Sequence, residues 1–148
     1  MKYQAQFDEL KGIVLGAKGP EDMQSRVVTS LRRSFPNYNW VGVYRLEGKE
    51  LVLGPFLGRP TEHTRIPVGT GVCGAAAVSK KTEVVPDVAV DARYLACSLE
   101  TRSEIVVPIL KGGAFWGEID IDSDQPNAFG PDDQEMLEAV VSLMSERL

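Results

Sequence analysis

Only two cysteines and one histidine occur among the 148 residues, and each scarcity closes off a class of chemistry. With His63 alone, a serine or cysteine triad has at most one base, and nothing beside it in sequence orients it, so it reads as a loop residue. A zinc site drawn from Cys73, Cys97, His63 and a carboxylate lacks any short ligand spacing, so neither metal nor cofactor is expected. Long apolar runs are missing too. No stretch approaches the ~20 residues that span a bilayer, and the first ten residues lack the apolar core of a signal peptide. Basic runs are no longer than Arg32-Arg33 or Lys80-Lys81. With 16 Lys+Arg against 21 Asp+Glu and a net charge of −5, a nucleic-acid or membrane partner is disfavoured. These absences point to the cytoplasm, where paired cysteines are redox-active or simply reduced rather than structural disulfides.

What is present suits a globular protein: 43% hydrophobic and 25% charged residues, with no repeat, low-complexity tract or linker. The length fits a single domain, 1–148, with a substantial core. Phe7, Leu10, Ile13 and Val14 recur at helical spacing. Gly19-Pro20-Glu21-Asp22 starts a second helix, its stripe Met23, Val27, Val28 and Leu31, its basic end Arg32 and Arg33. Residues 40–46 read as a strand that turns at Glu47-Gly48-Lys49 into Leu51-Val52-Leu53. From Gly54 to Arg65 the chain reads as irregular. A short alanine-rich helix is expected over 73–79 and a short strand over 83–85. A long polar connection follows, 87–101, with room for one helical turn near Arg93. Two strands, 104–110 and 114–122, flank Lys111-Gly112-Gly113, and Gly130-Pro131-Asp132-Asp133 starts a closing helix with Met136, Val140 and Leu143 inward. Helices at both ends with antiparallel strands between them define an α+β domain, its sheet covered by helices on one face.

The last hairpin carries the chemistry. On its second strand Phe115, Gly117, Ile119 and Ile121 share one face, while Trp116, Glu118, Asp120 and Asp122 share the other. A three-residue loop pairs Ile109 with Phe115 and Ile105 with Ile119, which sets Glu104 directly across from Asp120. Three acids, Glu104, Asp120 and Asp122, then crowd one face. That crowding raises at least one pKa and leaves a proton available near neutral pH. They could protonate a leaving oxygen or hold an ammonium group; a solvated sheet face is the plainer alternative. Trp40 and Trp116 favour the former, since a wet face has little need of large aromatics. Cys73 follows two glycines at a helix start, where the helix dipole favours thiolate, although a small buried residue packed among alanines fits equally. Cys97 lies in a polar loop seven residues before Glu104, a poor place for a core residue.

Taken together, Asn39-Trp40-Val41-Gly42-Val43-Tyr44, Leu53-Gly54-Pro55-Phe56, Arg65-Ile66-Pro67-Val68-Gly69-Thr70-Gly71-Val72-Cys73-Gly74, Ser103-Glu104-Ile105-Val106-Val107-Pro108 and Asp120-Ile121-Asp122-Ser123 resemble the free methionine-(R)-sulfoxide reductases, small stand-alone GAF-fold enzymes. The resemblance implies a GAF-like antiparallel sheet with terminal helices on one face and a ligand pocket on the other. It implies Cys97 as nucleophile and Cys73 as a disulfide partner. Glu104, Asp120 and Asp122 would hold the substrate amino group and assist oxygen departure, with Trp40 as an aromatic wall. Free methionine sulfoxide as substrate, a thioredoxin-type reductant and a homodimer come with the family. Many members carry a third cysteine between the Gly-Pro-Phe and Arg-Ile segments. Here that stretch, 57–64, contains none, which leaves Cys73 or the external reductant to complete the cycle. Two rival readings remain: a non-catalytic GAF module that binds a small ligand or signals, and a thiol sensor of oxidants that has no use for the acids.

Overall fold

The computed structural model describes residues 1–94 and 99–148, so Cys97 lies outside the described residues. Among the described residues are four helices and six strands: α1 Gln4–Gly16, α2 Pro20–Ser34, β1 Trp40–Glu47, β2 Glu50–Leu57, β3 Arg65–Pro67, α3 Gly71–Ser79, β4 Glu83–Val85, β5 Ser103–Lys111, β6 Ala114–Ser123 and α4 Pro131–Ser145; all but β3 match elements expected from the sequence. A 3₁₀ turn lies at Val88–Val90, ahead of the position around Arg93 where a helical turn was expected. The strands form one antiparallel sheet in the order β3-β2-β1-β6-β5-β4. No helix among the described residues is long and apolar enough to cross a membrane.

Local chemistry explains the helix starts. Both α2 and α4 begin with proline after a glycine N-cap and carry two acids in the first turn, an arrangement that tolerates the missing N–H and complements the helix dipole. Asp133 on α4 does more than cap. One of its oxygens accepts the Gly130 N–H at 2.9 Å and the other the fully buried Tyr38 hydroxyl at 2.6 Å. That contact fastens the closing helix to the residues leading into β1.

Two bulges correct the expected sheet. In β2 the pairing shifts between Gly42↔Phe56 and Tyr44↔Leu53, so Gly54 and Pro55 face a single residue of β1. The bulge absorbs a proline that has no N–H to give, and the strand continues to Leu57 where irregular chain was expected. The β5–β6 turn is two residues, Gly112 and Gly113, both with positive φ, between the paired Lys111 and Ala114. A two-residue turn alone would put every aliphatic pair on the wrong face. An extra residue in β6, Trp116, lies between the pairs Ile109↔Gly117 and Leu110↔Phe115 and restores the parity. The observed pairs are therefore Ile105↔Ile121 and Glu104↔Asp122, not Ile105 with Ile119 and Glu104 with Asp120. The displacement is two residues, an even number, so the faces survive and only the partners change. Trp116 itself goes to the helix side, and Phe115 to the other. It is not a neighbour of the acids.

Each face of the sheet has its own core. Val41, Val43, Ile105, Val107, Ile109, Ile119 and Ile121 pack under α1, α2 and α4. On the opposite face Trp40, Tyr44, Leu51, Ile66, Val85 and Val106 pack with Val72, Cys73, Ala76 and Ala77 of α3. That second layer decides the fate of the acids.

Candidate active site

Along β6 the residues Glu118, Asp120 and Asp122 alternate onto the α3 face. β1 sets Tyr44, Gly42 and Trp40 opposite them in turn, and β5 contributes Pro108, Val106 and Glu104. Directly opposed side chains share a face within about 5.5 Å at Cβ, so four carboxyl groups meet under α3. None is solvated: Glu104 is 4% exposed, Glu118 0%, Asp120 1% and Asp122 1%. Among the described residues, both oxygens of Glu118, both of Asp122 and one of Asp120 lack a hydrogen-bond partner. The Cys73 thiol lies beside Asp120 and Glu118 as a weak S–H donor, and no N–H or O–H reaches either Glu118 oxygen.

Burial is the largest influence on these groups, and it favours their neutral forms. It pushes the Asp120, Asp122 and Glu118 carboxyls above the usual range, and the charge of Asp120 pushes Asp122 and Glu118 further. Contact with Glu104 pulls Asp120 and Asp122 partly back, and the Arg59 guanidinium also lowers Asp122. Cys73 takes the second of the two readings open in the sequence, a buried residue packed with Ala76 and Ala77. Its position in the first turn of α3 would favour thiolate by about 0.3–1 kcal/mol, less than the 1.36 kcal/mol of one pKa unit. Burial is worth several times that. Burial, then Asp120, Glu118, Glu104 and Asp122, hold the thiol well above its ordinary pKa. Cys73 rests as a protonated, buried thiol.

The walls are aromatic. Trp40, 3% exposed, stacks on Phe56 with ring centroids 5.6 Å apart and lies 6.4 Å from Tyr44. Its ring covers Gly42, where a Cβ would stand 2.4 Å from the indole. Any larger residue at 42 would displace the wall. The indole N–H donates to the Arg59 carbonyl at 3.0 Å and the Tyr44 hydroxyl to the His63 carbonyl at 2.7 Å, so both side chains pin the loop between β2 and β3. A small pocket opens among Tyr44, His63, Ile66, Val72, Cys73, Glu104 and Asp120.

The structure thus gathers Cys73, Trp40, Glu104, Asp120 and Asp122. Three further residues belong to the site. Glu118 shares the β6 alternation with the other acids, and that period of two is the signal that finds it. Tyr44 shows only as the next residue but one after Gly42 on the same face. His63 is in a loop as expected, yet it lines the pocket, and no local pattern announces that. Ligand atoms of Cys73, Glu104 and Asp120 lie within 4.8 Å of one another, a set able to hold a divalent cation.

Raised carboxyl pKa values have a consequence for stability. The folded protein holds protons on Asp120, Asp122 and Glu118 more tightly than the unfolded chain does. Their contribution is complete below about pH 4, the unfolded carboxyl range, and is lost as pH rises through the folded values. The ligand-free, reduced protein should therefore melt at a higher temperature at pH 5.5 than at pH 8. Calorimetry at both values checks this; equal or lower melting at pH 5.5 would show that these carboxyls are not proton-bound in the fold.

Residues 20–148 match the GAF domain family. The chain is 38% identical over 144 residues to GAF domain-containing protein A of Dictyostelium discoideum, covering 97% of this chain and 90% of that protein. It superposes on a type II free methionine-R-sulfoxide reductase of Thermoplasma acidophilum with a TM-score of 0.83 and 37% identity, over 93% of each chain. Against the free methionine-R-sulfoxide reductase of Neisseria meningitidis in complex with its substrate, the TM-score is 0.94 and identity 33%, over 98% of this chain and 87% of that one.

Proposed function

The chain belongs to the free methionine-R-sulfoxide reductases of the GAF family, and from that premise we propose that it reduces free L-methionine (R)-sulfoxide to methionine, with Cys97 as nucleophile. The observation that carries the reading is the buried row of carboxyls with unpartnered oxygens beside a thiol and an indole wall. Such a row attracts an ammonium group, and a peptide-bound methionine has only a neutral amide nitrogen to offer. Free amino acid is the substrate that supplies the missing cation.

In this reading Glu104 and Asp122, directly paired across the strands, hold the ammonium, and Trp40 packs against the methyl-sulfoxide end. The Cys97 thiolate attacks the sulfoxide sulfur while protonated Asp120 gives its proton to the oxygen. The hydroxyl passes to Cys97 as methionine leaves, so the cysteine is oxidised to sulfenic acid and the substrate sulfur reduced. The Cys73 thiol then attacks the sulfenic sulfur, its proton passes by way of an adjacent carboxylate to the departing hydroxyl, and water leaves as the disulfide forms. A thioredoxin-type dithiol restores both thiols by exchange. The acids disfavour a Cys97 thiolate, and bound ammonium relieves that opposition. The cytoplasm, a single domain over 1–148 and a homodimer follow from the sequence features and the family.

Incubating the protein with each sulfoxide epimer of free methionine and dithiothreitol, and measuring methionine, tests the proposal. Methionine should appear from the R epimer only. A folded protein that releases none from it would overturn the reading.

A further inference from the structure

Ammonium is only half of the charge on a free amino acid. The α-carboxylate is one carbon away, and at this site it would enter a surface already negative. Asp122 is paired with Glu104, which lines the pocket, Asp124 lies close enough to raise the Asp122 carboxyl, and Glu100 stands with Asp124 against Arg59. An anion there requires a cation. Among the described residues, the cation that acts on this row of acids is Arg59.

Arg59 is anchored for such a role. Its carbonyl accepts the indole N–H of Trp40, and Trp40 is the β1 partner of Asp122, so Arg59 stands at the Asp122 end of the row, near enough to lower the Asp122 carboxyl. Its Nη1 and Nη2 donate to the two oxygens of Asp124 at 3.1 and 2.5 Å. That fork fixes the plane of the guanidinium. Its Nε edge faces the Glu100 carboxylate at 3.7 Å, an ion pair too long for a good hydrogen bond. A carboxylate of this chain therefore already stands against the edge where a substrate carboxylate would bind.

We propose that Arg59 receives the α-carboxylate of the substrate on its Nε edge, displacing Glu100, so that the site reads both charged ends of a free amino acid. The inference rests on the reading of the pocket as a site for free methionine sulfoxide. It adds a second reason why peptide-bound methionine is refused: a residue within a chain lacks the carboxylate as well as the ammonium.

The substrate itself can be edited to test this. Methionine (R)-sulfoxide amide keeps the ammonium and the sulfoxide but loses the carboxylate charge. The wild-type protein should favour the free acid over the amide in kcat/KM by about tenfold or more, the factor expected of one charge-assisted contact. In Arg59→Gln that preference should collapse to about unity, mainly through KM for the acid, while Arg59→Lys should restore part of it. Asp124→Asn loosens the clasp but leaves the guanidinium, and should retain the preference. If Arg59→Gln slows acid and amide equally, Arg59 only fastens the loop and the proposal fails. It fails also if the wild type does not distinguish acid from amide. Absence of turnover of either substrate by the wild type would instead sink the functional reading beneath it.

Discussion

Cys97→Ser is expected to lower methionine release from the free (R)-sulfoxide by about 10³-fold or more, the scale on which removing a covalent nucleophile acts. Serine cannot take over: its hydroxyl is far less acidic, and an oxygen nucleophile gives no stable counterpart of the sulfenic acid. Cys73 cannot take over either. It is buried at the foot of the pocket, and four carboxyl groups and burial hold it as a thiol. Activity at one tenth of wild type or above in Cys97→Ser, measured with dithiothreitol, would remove Cys97 from the mechanism. The companion variant separates the two sulfurs. Cys73→Ser should slow thioredoxin-supported turnover more than turnover supported by dithiothreitol, which can reduce a sulfenic acid directly. Equal slowing with both reductants would mean that Cys73 is not the resolving thiol.

Asp122→Asn should move activity and stability in opposite directions. Asp122 is fully buried with neither oxygen partnered, and it stands among like groups, so its charge opposes folding of the empty protein. Asparagine keeps the shape, cannot ionise, and brings an amide that can donate to Glu104 across the strand. The ligand-free variant should be more stable by about 1–3 kcal/mol, the cost typical of an unsatisfied buried group, and should melt a few degrees higher near pH 8. Loss of one charge-assisted contact to the substrate ammonium should raise KM by about 10–100-fold. Substrate kinetics and calorimetry on the same preparation check both. A variant that loses stability and keeps its KM would mark Asp122 as a structural residue and take the ammonium away from it. The opposition is the usual consequence of a site built from charges that only a ligand completes.

The hairpin of β5 and β6 shows how far a pattern reaches. Alternation along Glu118, Ile119, Asp120, Ile121 and Asp122 assigns each residue to a face, and the structure keeps every one of those assignments. The same rule extended to Trp116 fails, because the bulge at that residue reverses the faces of the strand start. Nothing in the composition of Phe115-Trp116-Gly117 distinguishes a bulge from regular strand. The turn glycines do allow a two-residue turn, but choosing it requires knowing that a bulge will correct the parity. For Cys73 the local signal points the wrong way. A helix start favours thiolate, yet burial first, and then carboxyls from β5 and β6 some 30 to 50 positions further along the chain, hold the thiol protonated.

By itself the sequence determined the α+β class, the order of the elements, the face on which Glu104, Asp120 and Asp122 lie, and the motifs that mark the family. Those properties follow from short periods and local conformational preferences, which neighbouring residues specify. Only the tertiary structure decided that Glu104 stands against Asp122, and that α3 closes over the acids and leaves them dry. Through a loop without periodicity it also brought His63 to the pocket and Arg59 within electrostatic reach of Asp122. A period of two tells which face a carboxyl takes. Whether that face meets water or a second layer of protein depends on packing between segments distant in sequence, and at this site that packing buries a row of acids and raises the carboxyls of Asp120, Asp122 and Glu118 above their usual range.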